Sequence, residues 1–232
     1  MKQLMKKIKI EYIIKVKTGL HIGGNVDNVE IGGIDRPVIK LALLDNQPFI
    51  PGSSLKGKIR SLLEQANGIT IPGEKGKDEN RGKAIMNLFG INEKDSNTPS
   101  EKRENQPSKL IVRDAMLTKN SIELFKERKD YLDMPYTEGK WENSINRITG
   151  KAANPRQTER IPAGAEFKSE FIINVWDTDG DGTTLVNLLK DGIKLLSEDY
   201  LGGSGSRGYG QVEFESCHQE CVWEFNSQNN KQ

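Results

Sequence analysis

The chain has 232 residues, a net charge of +1, and 34% hydrophobic and 29% charged residues. That length holds one large or two small domains around a sizeable core and excludes a peptide or a simple coiled coil. The near-zero net charge excludes a uniformly basic surface, so any nucleic-acid contact must come from a local patch. No run approaches a membrane span and no apolar segment follows the basic start, which makes a cytoplasmic location the expectation, with no membrane partner.

From Lys7 to Lys17 the residues Ile8, Ile10, Tyr12, Ile14 and Val16 share one parity, and Lys7, Lys9, Glu11, Lys15 and Lys17 the other. Only Ile13 breaks the alternation, so a half-buried strand is predicted. The strand runs into Thr18–Gly24, a glycine-bearing turn that carries His21 as either a hydrogen-bonded turn residue or a reactive group. Asn25–Lys40 then places Asp27, Glu30 and Asp35 around the pair Gly32-Gly33. Asp35 follows that pair and precedes Arg36-Pro37, which fixes the exit of the chain and thrusts the acid outward. A solvated loop acid has the same sequence.

In Phe49–Arg60, Gly52, Gly57 and Lys58 stand where a phosphate-binding Walker loop has them, but Ile59 occupies the place of the magnesium-holding Ser or Thr, which excludes that motif. Leu55, Ile59, Leu62, Leu63 and Ala66 instead form a helical stripe, with Ser53 or Ser54 as the expected N-cap. Lys56 and Arg60 fall on one flank of that helix and Lys58 on the other. They suit a phosphate seat at a helix start, or simply a solvated basic flank.

Between Gly68 and Ser108 the chain is polar and charged, which predicts an insertion with a small helix near Ile85–Ile91 and a mobile arm over Asn92–Pro107. Lys109–Leu117 reads as a strand with Asp114 on the side of Leu110, Val112 and Met116. Tyr136–Ile161 is dense in Asn, Arg, Lys and Gln, with Tyr136 and Trp141 as aromatics; hairpin-like arms of this kind suit sugar and phosphate contacts and a wedge between bases. A strand is expected over Glu166–Val175.

Asp177–Gly182 resembles the start of a calcium loop, but Leu188 occupies the position of the bidentate Glu, so an acidic turn and helix cap is expected. Cys217, His218 and Cys221, with His21 the only other histidine, fall short of a four-ligand zinc site. Leu185, Leu188, Leu189, Ile193, Leu196 and Tyr200 predict a helix, and Gln211–Glu215 a strand, with Glu220–Phe225 as its pairing strand.

Between that helix and strand lies Leu201–Val212, with five glycines around Arg207. Gly203, Gly205 and Gly208 satisfy the dinucleotide spacing, yet the order is helix, loop, strand, the reverse of what that fingerprint needs. Such a loop lets backbone N–H groups approach a ligand, with Arg207 able to fork onto a phosphate; a flexible turn is the plainer alternative. Setting aside insertions at about residues 69–108 (lid-like) and 118–160 (thumb-like) leaves strand, helix, strand, strand, helix, strand. The expected fold is therefore α+β, a single domain over residues 1–232 with a ferredoxin-like (RRM-like) βαββαβ core and a C-terminal glycine-rich loop.

The glycine loop, with Gly19–Gly24, Ile34–Ile39, Pro51–Lys58, Glu142–Arg147 and Asn154–Arg160, resembles the repeat-associated mysterious proteins (RAMPs) of CRISPR systems, and within them the backbone-subunit family of type III-A (Csm) effector complexes. The likeness spans about Lys7 to Phe214. It implies copies stacked along a CRISPR RNA beside other subunits of the effector complex, a thumb that kinks the guide–target duplex, and cleavage of complementary target RNA. Asp35 falls on the family's catalytic, metal-binding aspartate, with Mg2+ or Mn2+ as the implied metal. The implied RNA-binding residues are His21, Lys56, Lys58, Arg60, Asn143, Arg147, Arg156 and Arg160, together with Gly203, Gly205, Arg207 and Gly208 of the loop. The residue after the family aspartate is often small and here is Arg36; activity is expected to survive, with the cation working against metal binding. Two alternatives remain open: an architectural RNA-binding subunit without catalysis, and a metal-independent RNA-processing endoribonuclease with His21 as base.

Overall fold

The parity of the first strand is realised in β1 (Leu4–Val16), whose Ile10 and Ile14 are fully buried. The computed structural model describes residues 2–24, 34–70, 76–91 and 106–225. On one side β1 pairs antiparallel with β8 (Glu166–Trp176), setting Ile10 opposite Phe171 and Ile14 opposite Phe167; on the other it pairs with β9 (Val212–Glu224). Short strands complete the sheet: β2 (Lys40–Leu41), β3 (Gln47–Ile50), β4 (Leu110–Val112) and β5 (Ala115–Leu117). The order is β2-β3-β5-β8-β1-β9, with β4 also on β8.

Helices α1 (Gly52–Ala66) and α4 (Thr183–Ser197) cover the buried face, because Leu55, Ile59 and Leu63 on one and Leu185, Leu189, Ile193 and Leu196 on the other return at helical spacing. Among the described residues two further helices lie outside this pair, α2 (Glu79–Phe89) between α1 and β4 and α3 (Lys119–Glu127) after β5. Between α3 and β8 the chain forms a separate two-stranded hairpin, β6 (Glu138–Ile145) and β7 (Ala152–Arg160). No helix among the described residues is long and apolar enough to cross a membrane.

The opposite face of the central strands carries a ladder of ion pairs: Lys9–Glu220 at 2.6 Å, Lys15–Glu215 at 2.8 Å, Lys17–Glu213 at 3.1 Å and Lys168–Glu11 at 3.1 Å. Each lysine of the ladder has a glutamate partner, so this face offers little unpaired positive charge to a phosphate chain.

Several expectations need correction. Helix α1 starts at Gly52, and neither Ser53 nor Ser54 caps it; Asp114 Oδ1 accepts the Gly52 N–H at 2.7 Å instead, a cap supplied from the link between β4 and β5. That link, Arg113–Asp114, also breaks the single strand expected over Lys109–Leu117 into β4 and β5. The two final strands are one continuous strand, because nothing between Glu215 and Glu220 turns the chain and the thirteen residues of β1 offer partners to both. Cys217 and Val222 are the extra residues where the pairing jumps a register.

The acidic turn Asp177–Gly182 has a role not anticipated from sequence. Asp179 meets Lys109 Nζ at 2.5 and 2.6 Å, with the two side chains only 3% and 5% exposed. It also accepts the Trp176 N–H at 2.9 Å and Asn87 Nδ2 at 3.1 Å, which ties α2 to the start of α4.

Candidate functional site

The β6–β7 hairpin alternates, and its two faces do different things. Glu138, Lys140 and Glu142 on β6 stand opposite Arg160, Thr158 and Arg156 on β7, while Trp141 pairs with Gln157 and Gly139 with Glu159. Its far end is solvent-exposed: Trp141 and Ile145 are exposed and Ile148 is 95% so, with Asn143 and Arg147 beside them. Asn146 Oδ1 accepts the Ile148 and Thr149 N–H groups and closes the tip.

At the base of the hairpin the Asp35 loop is zipped along the free edge of β7. Asp35 Oδ2 accepts the Gln157 N–H at 2.7 Å, and the Glu159 N–H donates to Arg36 O at 3.0 Å, with Arg36 and Thr158 in a parallel bridge. Asp35 and Arg36 are both exposed. The anchor is Glu159, only 2% exposed, whose carboxylate accepts the Val38 N–H at 2.9 Å and the Thr137 hydroxyl at 2.5 Å and pairs with Lys40. The Glu159 carbonyl lies 2.7 Å from His21 Nδ1. A carbonyl only accepts, so Nδ1 carries the hydrogen, and in the neutral ring Nε2 holds the free lone pair.

His21 connects this cluster to the glycine loop. Its carbonyl accepts the Gly203 N–H at 2.8 Å, and Gly19 O accepts the Gly210 N–H at 3.0 Å. Gly202 sits at φ +78°, and a Cβ there would lie 2.2 Å from His21 O, so only glycine fits the contact. A Cβ on Gly205 would meet the Tyr200 ring at 1.9 Å. Lys58 lies over the other side of this corner, with Nζ 3.8 Å from the Tyr200 ring centre and 2.8 Å from Asp199. A cleft of about 470 Å3 opens there, lined by Thr18, Asp199, Tyr200, Ser206, Tyr209 and Gln211 among others.

The loop also docks on the hairpin. Arg207 NH1 donates to Glu142 Oε2 at 3.2 Å, and Arg156 NH2 lies 3.7 Å from the same oxygen. Tyr209 is buried with Lys140 Nζ 4.6 Å and the Arg160 guanidinium 5.3 Å from its ring centre. Burial and the adjacent Glu142 carboxylate push the Tyr209 phenol up to about 12. Burial alone would raise the Glu142 carboxyl, but Tyr209, Arg207, Arg156 and Lys140 together hold it below the ordinary value.

The structure therefore brings together His21, Asp35, Lys58, Arg156, Arg160, Gly203, Gly205, Arg207 and Gly208. Asn143 and Arg147 ride on the projecting hairpin. Lys56 and Arg60 belong to the other flank of α1: Lys56 Nζ donates to Ser108 Oγ at 2.7 Å and Leu110 O at 2.9 Å, and Arg60 pairs with Glu64. Burial, with Arg60 nearby, pushes the Lys56 ammonium down. Asp27, Glu30 and most of the Asn92–Pro107 arm lie outside the described residues. Cys217, His218 and Cys221 are exposed along β9, with His218 Nε2 3.3 Å from Glu220.

Among the described residues no three His, Cys, Asp or Glu side chains stand together as a metal cage. Asp35 is a single exposed carboxylate with one oxygen on a backbone N–H. That donor set does not fit zinc, but it fits a hard cation that keeps waters and accepts phosphate oxygens. Sequence reading had missed Glu159, Glu142, Tyr209, Lys140 and Lys40 as parts of this site. The available signal was the alternation of Glu138, Lys140 and Glu142, which puts three charged residues on one face of a strand.

Comparison with known proteins agrees in extent with this geometry. The family model described as the RAMP superfamily matches residues 13–213. The curated CRISPR system Cms endoribonuclease Csm3 of Streptococcus thermophilus is 44% identical over 219 residues, covering 94% of this chain and 91% of that one. The protein of the same description from Enterococcus italicus is 43% identical over 211 residues, covering 91% of each. A chain in the crystal structure of a Csm3–Csm4 subcomplex of the type III-A CRISPR-Cas interference complex aligns with a TM-score of 0.54 at 30% identity, covering 94% of this chain and 81% of that one. With a family match spanning all but the two ends and relatives above 40% identity along nearly the whole length, this chain belongs to the RAMP superfamily.

Proposed function

We propose that this chain is a backbone subunit of a type III-A CRISPR ribonucleoprotein that grips CRISPR RNA and cleaves complementary target RNA in a divalent-metal-dependent manner. The two relatives named above as endoribonucleases, each aligned over more than nine-tenths of its length, support the activity. The observation that carries the residue-level reading is that one hairpin holds both functional parts. Its β7 edge pins the Asp35 loop through Gln157, and its β6 face holds the glycine loop through Glu142 and Arg207.

The division of labour follows from chemistry. The Arg207 guanidinium, Lys58 and His21, positioned by the folded glycine loop, hold the guide backbone, which is sequence-blind and leaves target choice to base pairing. The exposed tip around Trp141, Ile145 and Ile148 is the apolar wedge that unstacks the duplex. Kinking there turns a target ribose so that its 2′-hydroxyl lies in line with the neighbouring phosphate. Asp35, fixed by the Gln157 N–H, takes the 2′-hydroxyl proton as that oxygen bonds to phosphorus. The bond to the 5′-oxygen then breaks, and the departing oxygen gains a proton from water. The products are a 2′,3′-cyclic phosphate and a 5′-hydroxyl. A divalent ion would be held by Asp35 and, when bound, would supply charge neutralisation at the phosphate.

We further infer that the core is a ferredoxin-like βαββαβ unit, supported by strand order β5-β8-β1-β9 with α1 and α4 as the crossover helices. Copies stacked along one guide would cut the target at regular intervals. The test is a reconstituted assembly with guide and end-labelled target, in Mg2+ or in EDTA, with wild-type chain and with H21A. Cuts in Mg2+ alone, still made by H21A assemblies normalised to the guide they retain, are the expected result. Cutting in EDTA that H21A abolishes would establish the histidine-based alternative, and an intact target throughout would leave only an architectural role.

A further inference from the structure

Of the acids near the glycine loop, Glu142 has no part in the chemistry above, yet it sits at the centre of the cation cluster. Its side chain is only 12% exposed, on the hairpin side of the cluster, whereas the Arg207 side chain is 53% exposed and that of Arg156 31%. One Glu142 oxygen receives both guanidinium groups, Arg207 by NH1 at 3.2 Å and Arg156 by NH2 at 3.7 Å. Each guanidinium has five N–H donors in a rigid fork, so a single shared contact leaves most of them for another acceptor. The buried side of the cluster is closed by Tyr209 beneath Lys140 and Arg160.

This arrangement sets a geometric order. A phosphate reaches Arg207 and Arg156 from solvent, while Glu142 holds them from behind, so the carboxylate and the phosphate do not contend for the same approach. Without Glu142, two arginines from two different elements would repel each other, and each would lose side-chain entropy only when RNA arrives.

We propose that Glu142 is a positioning residue for guide RNA: its carboxylate locks the Arg207 loop to the Arg156 strand, so that a backbone phosphate meets a pre-formed pair of guanidinium groups. The inference rests on the RNA-binding reading above and adds to it the part that makes loop and hairpin one clamp. It also gives a reason for an acid in an anion-binding cluster, where a plain charge count would disfavour one.

The experiment measures binding of an unstructured single-stranded RNA to the full chain by fluorescence anisotropy across a salt series. The proteins are wild type, E142Q, E142D, R207A and E142Q/R207A, each with a thermal melt. Positioning requires E142Q to weaken binding by about five- to tenfold, in spite of its added net positive charge. It also requires E142Q to lower the salt slope by about one phosphate contact, as R207A does. E142D should recover part of the loss, and E142Q should add little in the R207A background. Equal or tighter binding by E142Q at an unchanged melting temperature would overturn the proposal and make Glu142 a competitor of the phosphate. Additive effects of E142Q and R207A would overturn it as well. Absence of salt-dependent binding by the wild-type chain would instead remove the RNA-binding reading itself, a separate outcome.

Discussion

Replacing Asp179 by alanine should be among the most destabilising single changes in the fold. The carboxylate and Lys109 are almost fully excluded from water, and Asp179 also satisfies the Trp176 N–H and Asn87. Removing one partner of such a pair strands a buried ammonium and costs about 3–5 kcal/mol, whereas removing both charges costs far less. For a chain of this length each kcal/mol moves the melting temperature by about 2–4 °C, so D179A should melt roughly 6–20 °C below wild type. The double variant K109M/D179A should recover much of that loss, with a coupling energy of about 3 kcal/mol or more from urea midpoints at constant slope. Burial alone would raise the Asp179 carboxyl, but Lys109, the Trp176 N–H and Asn87 outweigh it and hold the carboxyl below its ordinary value. A depressed carboxyl contributes stability that is complete above its unfolded value and lost as pH falls through the folded one. Wild type should therefore lose its advantage over D179A only below the ordinary aspartate value of about 3.9. Additive single and double variants, or a D179A melting temperature equal to wild type, would refute the buried-pair reasoning.

Other consequences follow from the site. Glu159→Ala removes the acceptor for Val38 N–H and Thr137 and the partner of Lys40, a loss of about 1–3 kcal/mol; hydrogen exchange should rise selectively over residues 34–38, and unchanged protection there would count against Glu159 as the anchor. Gly202→Ala forces a side chain into a left-handed backbone against His21 O, so it should destabilise the chain by about 1–3 kcal/mol and reduce co-purifying RNA; a wild-type melt with normal RNA content would show that the contact is dispensable. Spectroscopic titration should find a phenol ionising near 12 that disappears in Y209F; a profile with every tyrosine at its ordinary value would remove Tyr209 from the cluster.

The parts of this fold legible in sequence were those with strong periodicity. Strand β1, helices α1 and α4 and the order of helix, glycine loop and strand follow from spacing alone. The N-cap of α1 was not legible, because Asp114 comes from sixty-two residues away. Nor was the continuity of β9, since two segments separated by polar residues read as a hairpin until β1 is known to pair with both. For the site, Asp35, His21 and Arg207 stand beside glycines and draw attention as loop residues. Glu159 and Glu142 lie inside strands of a polar hairpin, where charge is expected at every position and only tertiary pairing distinguishes an anchor from a solvated acid. The acidic turn at Asp179 looked like a calcium loop because carboxylates spaced around glycine suit a cation, and the cation turned out to be Lys109.

The most direct measurement compares wild-type and D35A chains co-expressed with their neighbouring subunits and guide, scoring in the same preparations the RNA recovered and the cleavage of complementary target in Mg2+. Asp35 is exposed at the hairpin edge and holds one backbone N–H, while Arg207, proposed to grip the guide, lies on the glycine-loop side. D35A should therefore retain full guide occupancy and lose cleavage. Target cut at the wild-type rate by D35A, or guide and cleavage lost in equal measure, would contradict the separation of grip from chemistry.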